Sequence, residues 1–154
     1  MVDTPDVVTS IDERRAASVD GIDLFTLRLI TYAAAPAVQR WITEELNSLP
    51  CAPHFTTSLA AAFAALADEV RRRVIVIDYD ALSKEQLVEL RGLRKRHPAG
   101  TFIALGQVRE HVRAALRITH VLPRPLGSEA LRVIVAELDG QRDTLELNAR
   151  VLID

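Results

Sequence analysis

Two carboxylates close an unbroken apolar run in this 154-residue chain: Asp78 and Asp80 follow Val74–Ile77 in the stretch VIVIDYD. Carboxylates so placed could ligate a hard cation, although Mg²⁺ held through one or two carboxylates needs further oxygens to complete its octahedron. The other reactive residue types are scattered. Cys51 is the single cysteine, which excludes an internal disulfide and, alone, a zinc site. Beside Pro50 it has no activating neighbour and is not expected to act as a nucleophile. His54, His97, His111 and His120 lack metal-ligand spacing. The segment TYAAAP, after the first apolar run, has no glycine to cradle a phosphate. The basic run RGLRKRH, with Arg91, Arg94, Lys95 and Arg96, reads as the cationic end of a helix, where it complements the dipole. It has no interleaved aromatics to stack on bases. These residues point to a protein that is not an enzyme, with no cofactor, no metal and no nucleic-acid partner.

The elements that position Asp78 follow from the apolar pattern. From Leu27 onward, short apolar runs alternate with amphipathic segments. Leu27–Tyr32 reads as a strand. Pro36 suits the first turn of a helix whose Val38, Trp41, Ile42 and Leu46 share one face. Pro50 and Pro53 break the chain, leaving a weak strand at His54–Thr56. Ser58 caps a second helix through Asp68. Val74–Ile77 is β-branched throughout, as in a strand buried on both faces. Ser83 and Gln86 form a capping box for a third helix to about Arg96, with Leu87, Leu90 and Leu93 as its stripe. Thr101–Leu105 is a strand, Val108–Ile118 a helix and His120–Leu122 a short strand. A final helix starts near Glu129, capped by Ser128. Five βα repeats predict an α/β fold: a doubly wound, five-stranded parallel sheet in three αβα layers. Ligands of such sheets bind at the carboxyl ends of the strands, which is where Asp78 falls.

The flanks differ from this frame. Residues 1–26 carry Asp3, Asp6, Asp12, Glu13, Asp20 and Asp23 against Arg14 and Arg15, a net charge of -4, while the whole chain is at -2. They read as a flexible acidic leader with a possible short helix near Ser10–Ala17, or as an acidic interaction arm. Residues 27–138 form the expected domain. Residues 139–154 are ambiguous. Leu131, Leu138, Leu145 and Leu152 recur every seven residues, as in a helix running on as a coiled-coil arm and supporting a homodimer. Leu145, Leu147, Ala149, Val151 and Ile153 alternate as in a strand. A helical extension is the favoured reading. The longest apolar run, Leu59–Ala67, is too short to span a bilayer. No basic segment precedes an apolar stretch near Met1, so no secretory signal is expected and a cytoplasmic location is.

With this order in place, residues 27–138 resemble the receiver domain of two-component response regulators. The resemblance rests on VIVIDYD, on LPRPLGSEAL, similar to a fifth strand, a Lys-Pro pair and a last helix, and on AAAPAVQRWITEEL, similar to a first receiver helix. It implies a flavodoxin-like fold with Asp78 at the phosphoacceptor position. The departures are as informative. The acid pair that helps receivers hold Mg²⁺ corresponds to Ala33 and Ala34. The Thr or Ser closing the fourth strand corresponds to Gly106. The lysine corresponds to Arg124, and the aromatic switch position to Val121.

Phosphoryl transfer needs charge neutralised at the moving oxygens, largely by Mg²⁺. Asp78 alone, helped at most by the carbonyl of Asp80, makes a thin metal site. Arg124 could pair with Asp78 and seal the pocket, its planar fork being no substitute for an ammonium. The expectation is a degenerate receiver that acts as a protein–protein interaction module in bacterial signal transduction, independently of phosphorylation. The resemblance implies a partner surface on the fourth helix, fifth strand and fifth helix, with His111, Val112, Arg117 and Val133 as candidates. Two alternatives stand: a phosphorelay receiver phosphorylated on Asp78, and a small-ligand-binding domain using the strand-end crevice.

Overall fold

The computed structural model of the chain describes residues 27–69 and 72–139. Among them run β1 (Leu27–Tyr32), α1 (Pro36–Leu46), β2 (Cys51–Phe55), α2 (Leu59–Asp68), β3 (Val74–Asp78), α3 (Lys84–Arg96), β4 (Thr101–Leu105), α4 (Glu110–Leu116) and β5 (His120–Leu122), then α5 over residues 130–139. All neighbouring strands are parallel, in the order β2-β1-β3-β4-β5. This is the flavodoxin-like doubly wound order, and the expected α/β class is the observed one.

Residue parity along the strands builds two cores. Leu27, Leu29, Val74, Val76, Ile103 and Leu105 pack on the face covered by α1 and α5. Ile30, Ile75, Ile77, Phe102 and Ala104 pack on the other, under α2, α3 and α4. Side chains of a strand alternate in direction, so a strand serving both cores must be apolar at every position. β3 satisfies this from Val74 to Ile77, each with no exposed surface.

Local chemistry starts the helices largely as their sequences require. Ser58 Oγ accepts from Ala61 N at 3.0 Å to open α2. Ser83 and Gln86 form the reciprocal box at α3. Gln86 also donates to the Tyr32 hydroxyl at 2.9 Å, pinning the start of α3 to the end of β1.

Four expectations are corrected. β2 begins at Cys51 and contains Pro53, opposite Leu29. Pro53 does not break it because β2 is an edge strand, where a missing N–H is tolerated. α4 is shorter than Val108–Ile118 and ends on Arg117 in the left-handed conformation (φ 54°, ψ 47°). α5 is opened by Glu45 of α1 rather than by Ser128. The buried Glu45 carboxylate accepts from the backbone amides of Glu129 at 2.8 Å and Leu131 at 2.9 Å, putting a negative charge where the helix dipole favours it. Leu131 and Leu138 are buried against the domain's own sheet, so the first half of the heptad seam is consumed internally. Leu145, Leu152, the 1–26 leader and the remainder of the 139–154 extension lie outside the described residues.

Candidate functional site

The winding of the sheet creates the site. From β1 the chain crosses to β2 on one side and then to β3 on the other. The carboxyl ends of β1 and β3 therefore flank the crevice at the topological switch point. Asp78 is the last residue of β3 and is 1% exposed.

Arg124, just beyond β5, reaches across the end of β4 to the two acids. Its Nη2 donates to Asp78 Oδ1 at 2.7 Å, and its Nε lies 3.5 Å from Asp80 Oδ2. The Arg124 side chain is 40% exposed, so the pair couples a buried carboxylate to a cation at the rim. Asp80 stands on the 3-10 turn Tyr79–Ala81 after β3, and its Oδ1 accepts from the backbone N–H of Gln107 at 3.0 Å.

Gly106 fits this arrangement for a steric reason. It follows β4 with φ at +131°, a region L side chains rarely adopt. A Cβ there would run into the Asp80 carboxylate. A hydroxyl-bearing side chain and the present position of Asp80 are mutually exclusive.

The remaining pocket positions, Ala33, Ala34 and Val121, add no side-chain oxygen. Ala33 is buried and Ala34 exposed beyond β1. The carbonyl of Ala33 already accepts from Gln39 Nε2 at 2.7 Å. Val121 is partly buried and packs against the core under α2, α3 and α4. Asp78 Oδ2 is buried and has no hydrogen-bond partner among the described residues.

These residues do not fit the Mg²⁺ that the fold suggests. A guanidinium sits on one oxygen of Asp78, both oxygens of Asp80 face N–H groups, and Ala33 and Ala34 beyond β1 bring no side-chain oxygen. A divalent ion here would have to displace a cation already bonded to its only buried carboxylate. Among the described residues, no three His, Cys, Asp or Glu side chains cluster as a metal site.

Three features were missed or misread in the sequence. Asp80 enters the pocket through its carboxylate rather than its backbone carbonyl. Gln39, on α1 three residues after Pro36, has no motif to mark it. Arg94 is no solvated helix-end cation: it is 3% exposed. Its guanidinium donates to the carbonyls of Leu116, His97, Ala99, Gly100 and Arg117 at 2.8–3.2 Å, and it lies over the Phe102 ring at 5.4 Å.

The other candidates are apart from this pocket, except that Trp41 shares a groove with Arg124. Trp41 lines a shallow apolar groove of 630 Å³ that includes Val38, Arg124, Pro125 and Leu126. His111 and Arg117 are exposed, Val112 is half-buried, and Val133 is 61% exposed. The Cys51 thiol is pushed up to about 12 by burial and by nearby Asp139, which keeps it protonated and unreactive. No helix among the described residues is long and apolar enough to cross a membrane.

Comparison with known proteins gives the fold a family likeness. A signal receiver domain of an HD domain-containing protein from Pseudomonas fluorescens Pf-5 matches with a TM-score of 0.59 at 16% identity, over 79% of this chain and 92% of that one. The chemotaxis protein CheY4 of Vibrio cholerae matches with 0.59 at 13% identity, over 73% and 98%. A protein described as an atypical orphan response regulator with a phosphorylation-independent regulatory mechanism matches with 0.51 at 12% identity, over 70% and 90%. The chain therefore has the receiver fold. No protein-family model and no curated protein matches the sequence.

Proposed function

We propose that this chain is an atypical receiver domain that acts as a protein–protein interaction module in signal transduction, without phosphorylation and without substrate turnover. The observation that carries this reading is the Arg124–Asp78 ion pair at 2.7 Å. It neutralises the carboxylate at the phosphoacceptor position with a cation built into the chain. Asp80 over Gly106 then fills the space of a switch hydroxyl. Ala33, Ala34, Gly106 and Arg124 are thus read as one rewired pocket. It holds a single arrangement for partners to recognise, in keeping with the phosphorylation-independent regulatory mechanism of the atypical orphan neighbour.

The partner surface we assign is α4, β5 and α5, where Val133 of α5 and His111 and Arg117 on and after α4 are exposed. A homodimer through this face belongs to the same reading, as does a cytoplasmic location. The phosphorelay alternative is favoured by one specific observation, the unpartnered Oδ2 of Asp78. Trp41 separates the two, since it shares a groove with Arg124. Beryllofluoride with Mg²⁺ is expected to leave Trp41 emission unchanged. A saturable change, lost in Asp78→Asn, would establish the phosphorelay reading instead.

A further inference from the structure

At the opposite end of the sheet from Asp78, a cavity of 580 Å³ opens between the carboxyl-terminal halves of α3 and α4. Arg91 and Lys95 of α3 and Arg117 after α4 line it, with the buried Arg94 as part of its wall. No acid lines it among the described residues. The guanidinium of Arg94 is bonded only to carbonyl oxygens, so its charge is not cancelled locally.

The groove is held open by two small residues, Gly92 and Ala115. Gly92 lies inside α3, where glycine costs about 1 kcal/mol relative to alanine. Packing does not require it: the nearest atom to a Cβ added there is Arg96 Nη1, at 3.8 Å. The open groove uses this glycine, and the fold does not. Val88, 65% exposed, continues the Arg91–Lys95 stripe one turn earlier.

We propose that this groove binds an acidic peptide segment, and that its occupant is the chain's own residues 1–26, through Asp20 and Asp23. Charge is the first argument. The leader carries -4, whereas residues 140–154, the other flank, hold only one acid more than they hold bases. The second argument is place. The leader joins β1 at Leu27, at the amino end of the sheet. α3 also ends there, since Gly100 leads into β4 and Thr101 N donates to Arg73 O at 2.9 Å. β1 and β4 are separated only by β3, about 10 Å across two strand spacings. Asp20 is seven residues from Leu27, a reach of up to about 23 Å. Val19, Ile22, Leu24 and Phe25 flank these acids and supply apolar side chains for Val88 and Ala115.

The chain's lysines provide the test. Lys84 and Lys95 are the only two, and they stand at opposite ends of α3, about 16 Å apart. The full chain is treated with a zero-length carbodiimide at low micromolar concentration, and the monomer band is mapped by peptide mass spectrometry. Leader carboxylates are expected to join Lys95 at least about tenfold more than Lys84, with the preference lost at 1 M salt, where the Debye length falls to about 3 Å. Asp20→Asn with Asp23→Asn is expected to remove most of the Lys95 product. Equal yields at the two lysines, a preference that survives high salt, or Lys95 links confined to the dimer band would overturn the proposal.

Discussion

The two ends of the sheet each hold a bonded arginine, and the two solve opposite problems. At the carboxyl end, Arg124 is 40% exposed and meets carboxylates. At the amino end, Arg94 is 3% exposed and meets only carbonyls. Arg124 supplies charge to a buried acid. Arg94 supplies geometry: its five donors close the end of α3, the turn into β4 and the left-handed end of α4. Loss of a buried multidentate donor strands several acceptors at once, whereas loss of a rim cation lets water reach its partner.

The comparison breaks most visibly in stability. Arg94→Met is expected to cost about 3 kcal/mol or more, and Arg94→Lys to rescue little of it, since an ammonium has three donors and no fork. Arg124→Met is expected to cost about 1–2 kcal/mol, because its partner can be partly rehydrated at the rim. Urea midpoints at constant slope would show the ranking, and the reverse order would sink the distinction. Next in size is Gly106→Ser, expected to cost about 2 kcal/mol from its positive φ and the clash with Asp80. Adding Asp80→Ala is expected to return roughly half of that, a coupling that a double-mutant cycle measures. Strict additivity would mean that Asp80 does not occupy the space over Gly106.

Much of this was legible in the sequence, for physical reasons that differ by residue. The Val74–Ile77 run could only be a strand covered on both faces, and Ser83–Gln86 could only open a helix. Both act over a few residues, so local pattern suffices. Asp78 was placed by the end of that run. Arg124 was singled out by the receiver resemblance, as the counterpart of its lysine before Pro125. What stayed hidden depends on contacts far apart in sequence. Glu45 meets the start of α5 across 84 residues and Asp80 meets Gln107 across 27. Arg94 looked like its neighbours Lys95 and Arg96, and only the packing of α4 shows which of the three turns inward.

A smaller effect comes from Cys51, which lies in neither arginine site. Its thiol ionises near 9 in the unfolded chain and about 12 in the fold. Between those values unfolding releases a proton, so stability falls as pH rises. The contribution is fully present below pH 9 and weakens by about 1 kcal/mol by pH 10. Cys51→Ala is expected to flatten that part of the pH profile. An unchanged slope would place the alkaline loss elsewhere, with the arginines' neighbours the next suspects.

The central claim is that Arg124 occupies chemically the position a phosphoryl group and its metal would need. The most direct measurement is the intact mass of the full chain after incubation with Mg²⁺ and a small acyl phosphate donor, followed by peptide mapping. The account predicts no phosphoryl adduct in the native chain. A near-stoichiometric adduct on Asp78 would contradict it.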